Sequence, residues 1–225
     1  AAVTPRPPME QERPRYVMNI NLMGTVHALD AARDAGVERF VFVSSTGVYG
    51  FQGATAYTED LAPKGEGLYA ICKLAGEALC RRYSAMYGFR AVSGRVCSTY
   101  GPLERPTRSR IGMSDPYRIA QAALEGRAIR VRGLHIVRTW THAQDIAGGL
   151  VRLLKAPKLS YSVYNIAYGA PYTLEQVLRT FQAVEPSLRW QVAGPGEEAE
   201  IAYDDSVQRG HTDVTRLRED AGYQP

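Results

Sequence analysis

Arg39-Phe-Val-Phe-Val-Ser-Ser-Thr-Gly-Val-Tyr-Gly50 runs from an unbroken aromatic and β-branched block straight into hydroxylated residues and glycine. An apolar block with no polar alternation is what a strand buried on both faces requires, as in a parallel sheet covered by helices. Arg39 to Ser44 is therefore predicted to be such a strand, with Ser44 and Ser45 emerging at its carboxyl end. In open α/β sheets that end is where ligands bind.

Working outward, Arg15 to Ala35 reads as a helix stopped by Gly36 at its C-cap. Gly50 to Gly67 is a long Gly/Thr/Pro loop, and Leu68 to Tyr87 is a second helix, stopped by Gly88. Ala91 to Ser98 is a second strand, followed by the Arg/Pro-rich loop Gly101 to Arg110. A capping serine and an early proline in Ser114-Asp-Pro116 open a helix that ends at Gly126. Ala143 to Lys155 is helical and Tyr161 to Ala167 is a strand. Thr173-Leu-Glu-Gln176 has capping-box spacing and opens a helix closed by Pro186. Gly194-Pro-Gly196 is a turn, and Asp213 is expected to cap a last short helix. Strands alternating with helices predict an α/β fold with parallel strands.

The bulk properties narrow the function. The chain has 225 residues, 45% apolar and 22% charged, as in ordinary globular proteins. No apolar run approaches a membrane span, and the N-terminus lacks signal-peptide features, so no membrane partner and a cytoplasmic location are expected. Cys72, Cys80 and Cys97 match neither a disulfide framework nor metal-ligand spacing, which fits a reducing compartment. His27, His135, His142 and His211 are scattered, so no metal site is expected. The net charge of +4 rests mostly on arginine, with Lys64, Lys73, Lys155 and Lys158 the only lysines. That balance suits anionic small molecules. No basic run is interleaved with aromatics, so nucleic acid is not expected as a partner.

The chemistry-bearing pattern is Ser44-Ser45 at a strand tip together with Tyr69-Ala-Ile-Cys-Lys73 at the start of a helix. Residues i and i+4 share a helix face, so Tyr69 and Lys73 can point into one site. An ammonium near a phenol favours the phenolate and eases proton transfer at neutral pH, while a serine hydroxyl holds the reacting oxygen. A Tyr-x-x-x-Lys spacing alone arises by chance in about one chain in four of this composition. Its place beside the strand-end serines gives it weight.

Several further segments sharpen this reading. Asn21-Leu-Met-Gly-Thr25, Gly36 to Ser45, Val48-Tyr-Gly50, Thr58-Glu-Asp60, Arg95-Val-Cys-Ser-Thr-Tyr-Gly-Pro102, Arg138-Thr-Trp-Thr-His-Ala-Gln-Asp145 and Tyr164-Asn-Ile166 occur in the order and spacing of one family. From Ala1 to about Pro186 the chain resembles the extended short-chain dehydrogenase/reductases of the NAD-dependent epimerase/dehydratase family. The resemblance implies a partial Rossmann-type doubly wound parallel sheet with a small α/β substrate lobe. It divides the chain into residues 1–101 and 140–168 for the cofactor domain, and 102–139 and 169–225 for the lobe.

By resemblance, Ser45, Tyr69 and Lys73 are the catalytic set, with Tyr69 as general acid/base and Lys73 binding the nicotinamide ribose and lowering the tyrosine pKa. Ala1, Ala2, Thr4, Asn21, Ser44 and Cys97, the last through its backbone, are expected beside NAD, with NADP not excluded. Ser45, Thr46, Ser98 and Arg138 are expected to meet the substrate, Arg138 as a phosphate contact of a nucleotide-sugar. A homodimer through helices 15–35 and 68–87 is also implied.

Departures from the family pattern narrow the activity. Thr46 and Gly47 stand where the dehydratases carry Asp and Glu, which argues against water elimination. Ser98 replaces a usual asparagine and Thr139 a common aspartate. No Gly-x-x-Gly-x-x-Gly turn occurs, so the chain is expected to be part of a longer protein or a truncated product. Strand 39–44 is then expected to lack a neighbour, and NAD binding by the isolated chain to be weak. Three functions stay open: an epimerase or oxidoreductase on a sugar or sugar-nucleotide, a reductase of a small carbonyl compound, and a catalytically silent binding module.

Overall fold

In the computed structural model, described for residues 2–5 and 7–225, the stretch that opened the reading is the strand Arg39–Ser45. It lies parallel to Arg90–Val96, which in turn pairs in parallel with Val163–Ile166. The order of this three-stranded sheet is 39–45, 90–96, 163–166, and among the described residues strand 39–45 has a strand on one edge only.

Side-chain alternation sends successive residues to opposite faces, where helices cover both. Phe42 and Ala91 join Leu29, Cys80 and Phe89 in one core, beneath the helices Gly24–Asp34 and Leu68–Tyr87. Val92, Tyr164 and Ile166 join Ile146, Leu153, Leu217 and Tyr223 on the other face, beneath Ala143–Lys155 and Thr215–Ala221. The long helix reaches the sheet closely because position 76 is glycine; a Cβ there would lie 2.5 Å from Phe42 Cζ. It ends where expected, on Gly88 in the left-handed conformation at φ 78°.

The second lobe has its own parallel sheet, with Ala128–Arg132 between Arg189–Val192 and Ile201–Ala202. Ile119, Trp140, Leu174, Leu178 and Leu188 pack over it. Ser114 caps the helix Asp115–Leu124, and Thr173 with Gln176 forms the expected capping box on Leu174–Val184. No helix of the described residues is long and apolar enough to cross a membrane.

Four expectations are corrected. The helix drawn from Arg15 to Ala35 is continuous but not α-helical throughout: Pro14–Met18 passes through a π-turn, Asn19–Met23, into Gly24–Asp34. Strand 91–98 ends at Val96, and Ser98–Tyr100 changes partner to Trp140–His142. The last helix is capped at Val214, although Asp213 Oδ1 does accept from the Thr215 amide at 3.0 Å. The tail also departs from the expected boundary at 169–225. His211–Thr212 pairs with Ala56–Tyr57, and Val214, Leu217 and Tyr223 fill the core of the first sheet.

Candidate active site

Period-two alternation decides what the two strand-tip serines do. Ser44 turns inward, fully buried, and donates to Glu77 Oε1 at 2.6 Å. Glu77 also holds Arg95 through a two-pronged pair, Nε to Oε1 at 2.8 Å and Nη2 to Oε2 at 2.7 Å. The Ser44 side chain is thus committed to a buried ionic network and not to a cofactor, which corrects the expectation. Ser45 turns the other way, and its Oγ accepts from the Gly47 amide at 3.0 Å.

Ser45 and Tyr69 meet on the wall of a cavity of about 400 Å³, together with Thr4, Thr46, Cys97, Ser98 and Arg110. A Cβ on Gly47 would lie 3.2 Å from Ser45 Oγ and 3.9 Å from Tyr69 Cε1, so glycine keeps the two functional groups mutually accessible. Lys73, one helical turn on, is buried. Its Nζ donates to the Val43 carbonyl at 2.7 Å and sits 5.5 Å from the Tyr69 ring centre and 5.0 Å from that of Phe42. The expected lowering of the tyrosine by Lys73 is not what this geometry produces. Burial pushes the Tyr69 phenol above its ordinary value, and the Ser45 hydroxyl and the Arg110 charge pull it back. Burial lowers Lys73 from its usual range.

The remaining residues expected beside a dinucleotide divide. Ala1 lies outside the described residues. Thr4 lines the cavity, its amide donating to the Ser109 carbonyl at 3.2 Å, whereas Ala2 of the same segment does not line it. Asn21 is buried in the π-turn with its amide turned to Val3: Oδ1 accepts from the Val3 amide and Nδ2 donates to the Val3 carbonyl, each at 2.8 Å. It therefore clamps the segment 2–5 to the helical stretch 14–34. Cys97 lines the cavity, with Sγ 2.8 Å from Thr141 Oγ1 and its thiol pushed up to about 11 by burial.

A second cavity of about 230 Å³ adjoins the first, sharing Thr46, Cys97, Ser98 and Arg209 with it. Arg138, 8% exposed, lines this second cavity. Its guanidinium lies 4.5 Å from the Tyr203 ring centre and donates to the Val207 carbonyl. Arg209 faces the same space, its Nε shut from solvent with no hydrogen-bond partner among the described residues. Burial and the Arg138 charge lower the Arg209 guanidinium to about 10. Two guanidiniums facing one cavity that no carboxylate lines make a site for a polyvalent anion.

Arg209 and Asp115 were missed in the sequence. Asp115 is buried on the first cavity, accepting on Oδ2 from the Tyr203 hydroxyl at 2.6 Å and from Trp140 Nε1 at 3.2 Å. Burial raises its carboxyl above the ordinary range. The one available signal for Asp115 was its place beside the capping Ser114; an isolated Arg-Gly at 209–210 carried none.

The family model described as NAD dependent epimerase/dehydratase matches residues 1–167. The chain is 28% identical over 177 residues to a GDP-6-deoxy-D-mannose reductase from Pseudomonas aeruginosa, covering 73% of this chain and 55% of that one. It therefore spans little more than half of that relative's length. A UDP-glucose 4-epimerase from Thermotoga maritima, solved with UDP-glucose, superposes at a TM-score of 0.82 with 19% identity, over 100% of this chain and 70% of that one. RMD from Pseudomonas aeruginosa, solved with NADPH, superposes at 0.76 with 25% identity, over 100% and 74%.

Proposed function

The chain belongs to the NAD-dependent epimerase/dehydratase family, and from that premise we propose that it serves oxidoreduction at a carbinol carbon of a nucleotide-sugar. The observation that carries this reading is the junction of two cavities. A Ser45–Tyr69 wall for a reacting hydroxyl lies next to a pocket lined by two guanidiniums and no carboxylate, suited to a diphosphate. The names of the relatives, a reductase of a GDP-sugar and an epimerase of UDP-glucose, support the substrate class.

The residues fit the nicotinamide-ribose end of NAD. Lys73 Nζ has one protein acceptor, Val43, so two of its N–H bonds are left for ribose hydroxyls. Tyr69, Thr4 and Cys97 line the cavity, and Lys73 lies buried behind Tyr69, off its wall. NAD, when bound, takes up and returns the hydride. Ser45 holds the substrate oxygen, and Tyr69 takes its proton during oxidation and returns it during reduction. Arg110 is the cation that favours the Tyr69 phenolate, and Lys73 would serve to hold the ribose. Asp115, with Oδ2 occupied, keeps Oδ1 as an acceptor for a second sugar hydroxyl. Thr46 and Gly47 supply no acid and base for water elimination, so the product keeps its oxygen.

The test is turnover of UDP- and GDP-hexoses with NAD, separating isomerised product from released NADH, with Tyr69→Phe as the comparison. A loss of about 10²- to 10⁴-fold in kcat is expected. If phenylalanine at 69 serves equally well, the proton route is wrong.

The homodimer belongs to the same proposal. Met18, Met23, Ile71, Leu74, Met86 and Tyr87 leave apolar surface exposed on the helices of 14–34 and 68–87. Paired across a two-fold axis these would form a four-helix contact. Sedimentation at micromolar concentration should give the dimer mass; a monomer at that concentration removes this part of the reading.

A further inference from the structure

We propose that a third cavity, walled by aromatic rings and separate from the two above, binds a small alkylated ammonium ion. It has a volume of about 290 Å³ and lies between the start of helix 143–155 and the helix 174–184. Six of its lining residues carry aromatic rings: Tyr100, Trp140, His142, Tyr168, Tyr172 and Phe181. Asp145 is the one carboxylate on its lining, and no lysine or arginine joins it. Among the described residues Asp145 makes no side-chain hydrogen bond and no ion pair. A carboxylate left unpartnered within a ring-lined pocket attracts a cation, and ring faces reward one that is weakly hydrated.

The chemistry of the walls selects among cations. A divalent metal needs about six oxygen ligands, and this pocket offers a single carboxylate among rings. No cluster of three metal-ligating residues occurs among the described residues. An alkylated ammonium carries its charge behind methyl or methylene groups, so it can sit on Tyr and Trp faces while Asp145 supplies the countercharge. The positive end of helix 143–155 opposes this with only about half a charge, less than the full charge on Asp145.

The pocket is also built for entry and for recognition. Tyr168 and Tyr172 stand at its mouth, 42% and 36% exposed, with ring centres 6.2 Å apart and planes 30° apart. Tyr100 and His142 meet edge to face at 5.5 Å, and Trp140 is buried. Burial, then the charges of Asp145 and Tyr168, raise the Tyr100 phenol, in keeping with these groups facing one space. Trp140 is the one residue this pocket shares with the catalytic cavity. Its indole can therefore report on occupancy.

The experiment uses the Trp190→Phe protein, in which Trp140 is the only tryptophan. Choline chloride is titrated against fluorescence at constant ionic strength, beside its neutral isostere 3,3-dimethylbutan-1-ol and sodium chloride. Saturable quenching by choline is expected, with the isostere about 5- to 30-fold weaker. Asp145→Asn and, independently, the surface change Tyr168→Ala should each weaken choline about tenfold. Choline and isostere binding equally would make this an ordinary apolar pocket. No saturation by choline, or choline binding untouched by both substitutions, would overturn the proposal.

Discussion

Arg95 is buried and Arg209 half-buried, and they meet opposite electrostatic conditions. Arg95 lies beneath the long helix with both oxygens of Glu77 on its guanidinium and the Tyr49 ring 4.7 Å from it. Burial weighs against its charge, and the Glu77 bonds more than restore it, holding Arg95 above its ordinary value. Arg209 has the Arg138 charge for company, no carboxylate, and a lowered affinity for its proton. A buried charge that is compensated holds the fold together; one left uncompensated at a cavity awaits something from outside the chain.

The largest effect should come from breaking the compensated case. Glu77→Ala leaves Arg95 buried without its countercharge and strips Ser44 of its acceptor, so a loss of about 3–5 kcal/mol in unfolding free energy is expected. For a chain of this length that is a fall in Tm of roughly 6–20 °C. Denaturant titration would measure it directly. A loss no greater than that of an exposed substitution would mean Glu77 and Arg95 matter little to one another.

Arg209→Met should behave in the contrary manner. Removing an uncompensated guanidinium is expected to leave the free protein unchanged or slightly more stable, while weakening a diphosphate by roughly 10- to 100-fold. Thermal shift with UDP or inorganic pyrophosphate reads both at once, since a ligand raises Tm only through the folded state. At one ligand concentration the parent should rise more than the variant. A variant that is strongly destabilised without ligand would place Arg209 with Arg95, and the distinction between them would fail.

The same distinction explains what the sequence disclosed. Strand 39–45 and helix 68–87 were legible because an unbroken apolar block and a glycine stop act locally. The capping box at Thr173 was legible for the same reason. The Ser45–Tyr69 wall followed from helix spacing and from where sheets bind ligands. Ser44 was misread although period two predicts that neighbours in a strand diverge. What the strand spacing did not reveal was the partner, Glu77, that takes up the inward side. The second sheet escaped because its strands are short and laced with arginine, as in Ala128-Ile-Arg-Val-Arg132. The contact of Asn21 with Val3 was not legible because nothing local announces the π-turn that points its amide there.

Arg110 stands between the two cases, and the smallest predicted effect belongs to it. Its Nη2 pairs with Glu104 Oε1 at 2.7 Å, its Nε is buried without a partner among the described residues, and it lines the Ser45–Tyr69 cavity. Half compensated, it still pulls the Tyr69 phenol downward. Arg110→Gln removes that pull, so the phenol should rise further. Oxidation of the substrate needs the phenolate, whose share at any pH below the Tyr69 pKa then falls. The oxidative pH–rate curve should move to higher pH, while reduction, which uses the protonated phenol, keeps its rate near neutrality. Glu104→Gln should act with the other sign: Arg110 loses its countercharge, its pull on Tyr69 strengthens, and the oxidative curve moves to lower pH. The amide oxygen of glutamine can still accept from Ser114, whose amide and hydroxyl both rest on Glu104 at present. Two substitutions at one ion pair that move the curve the same way would show that shape, not charge, links Arg110 to the phenol.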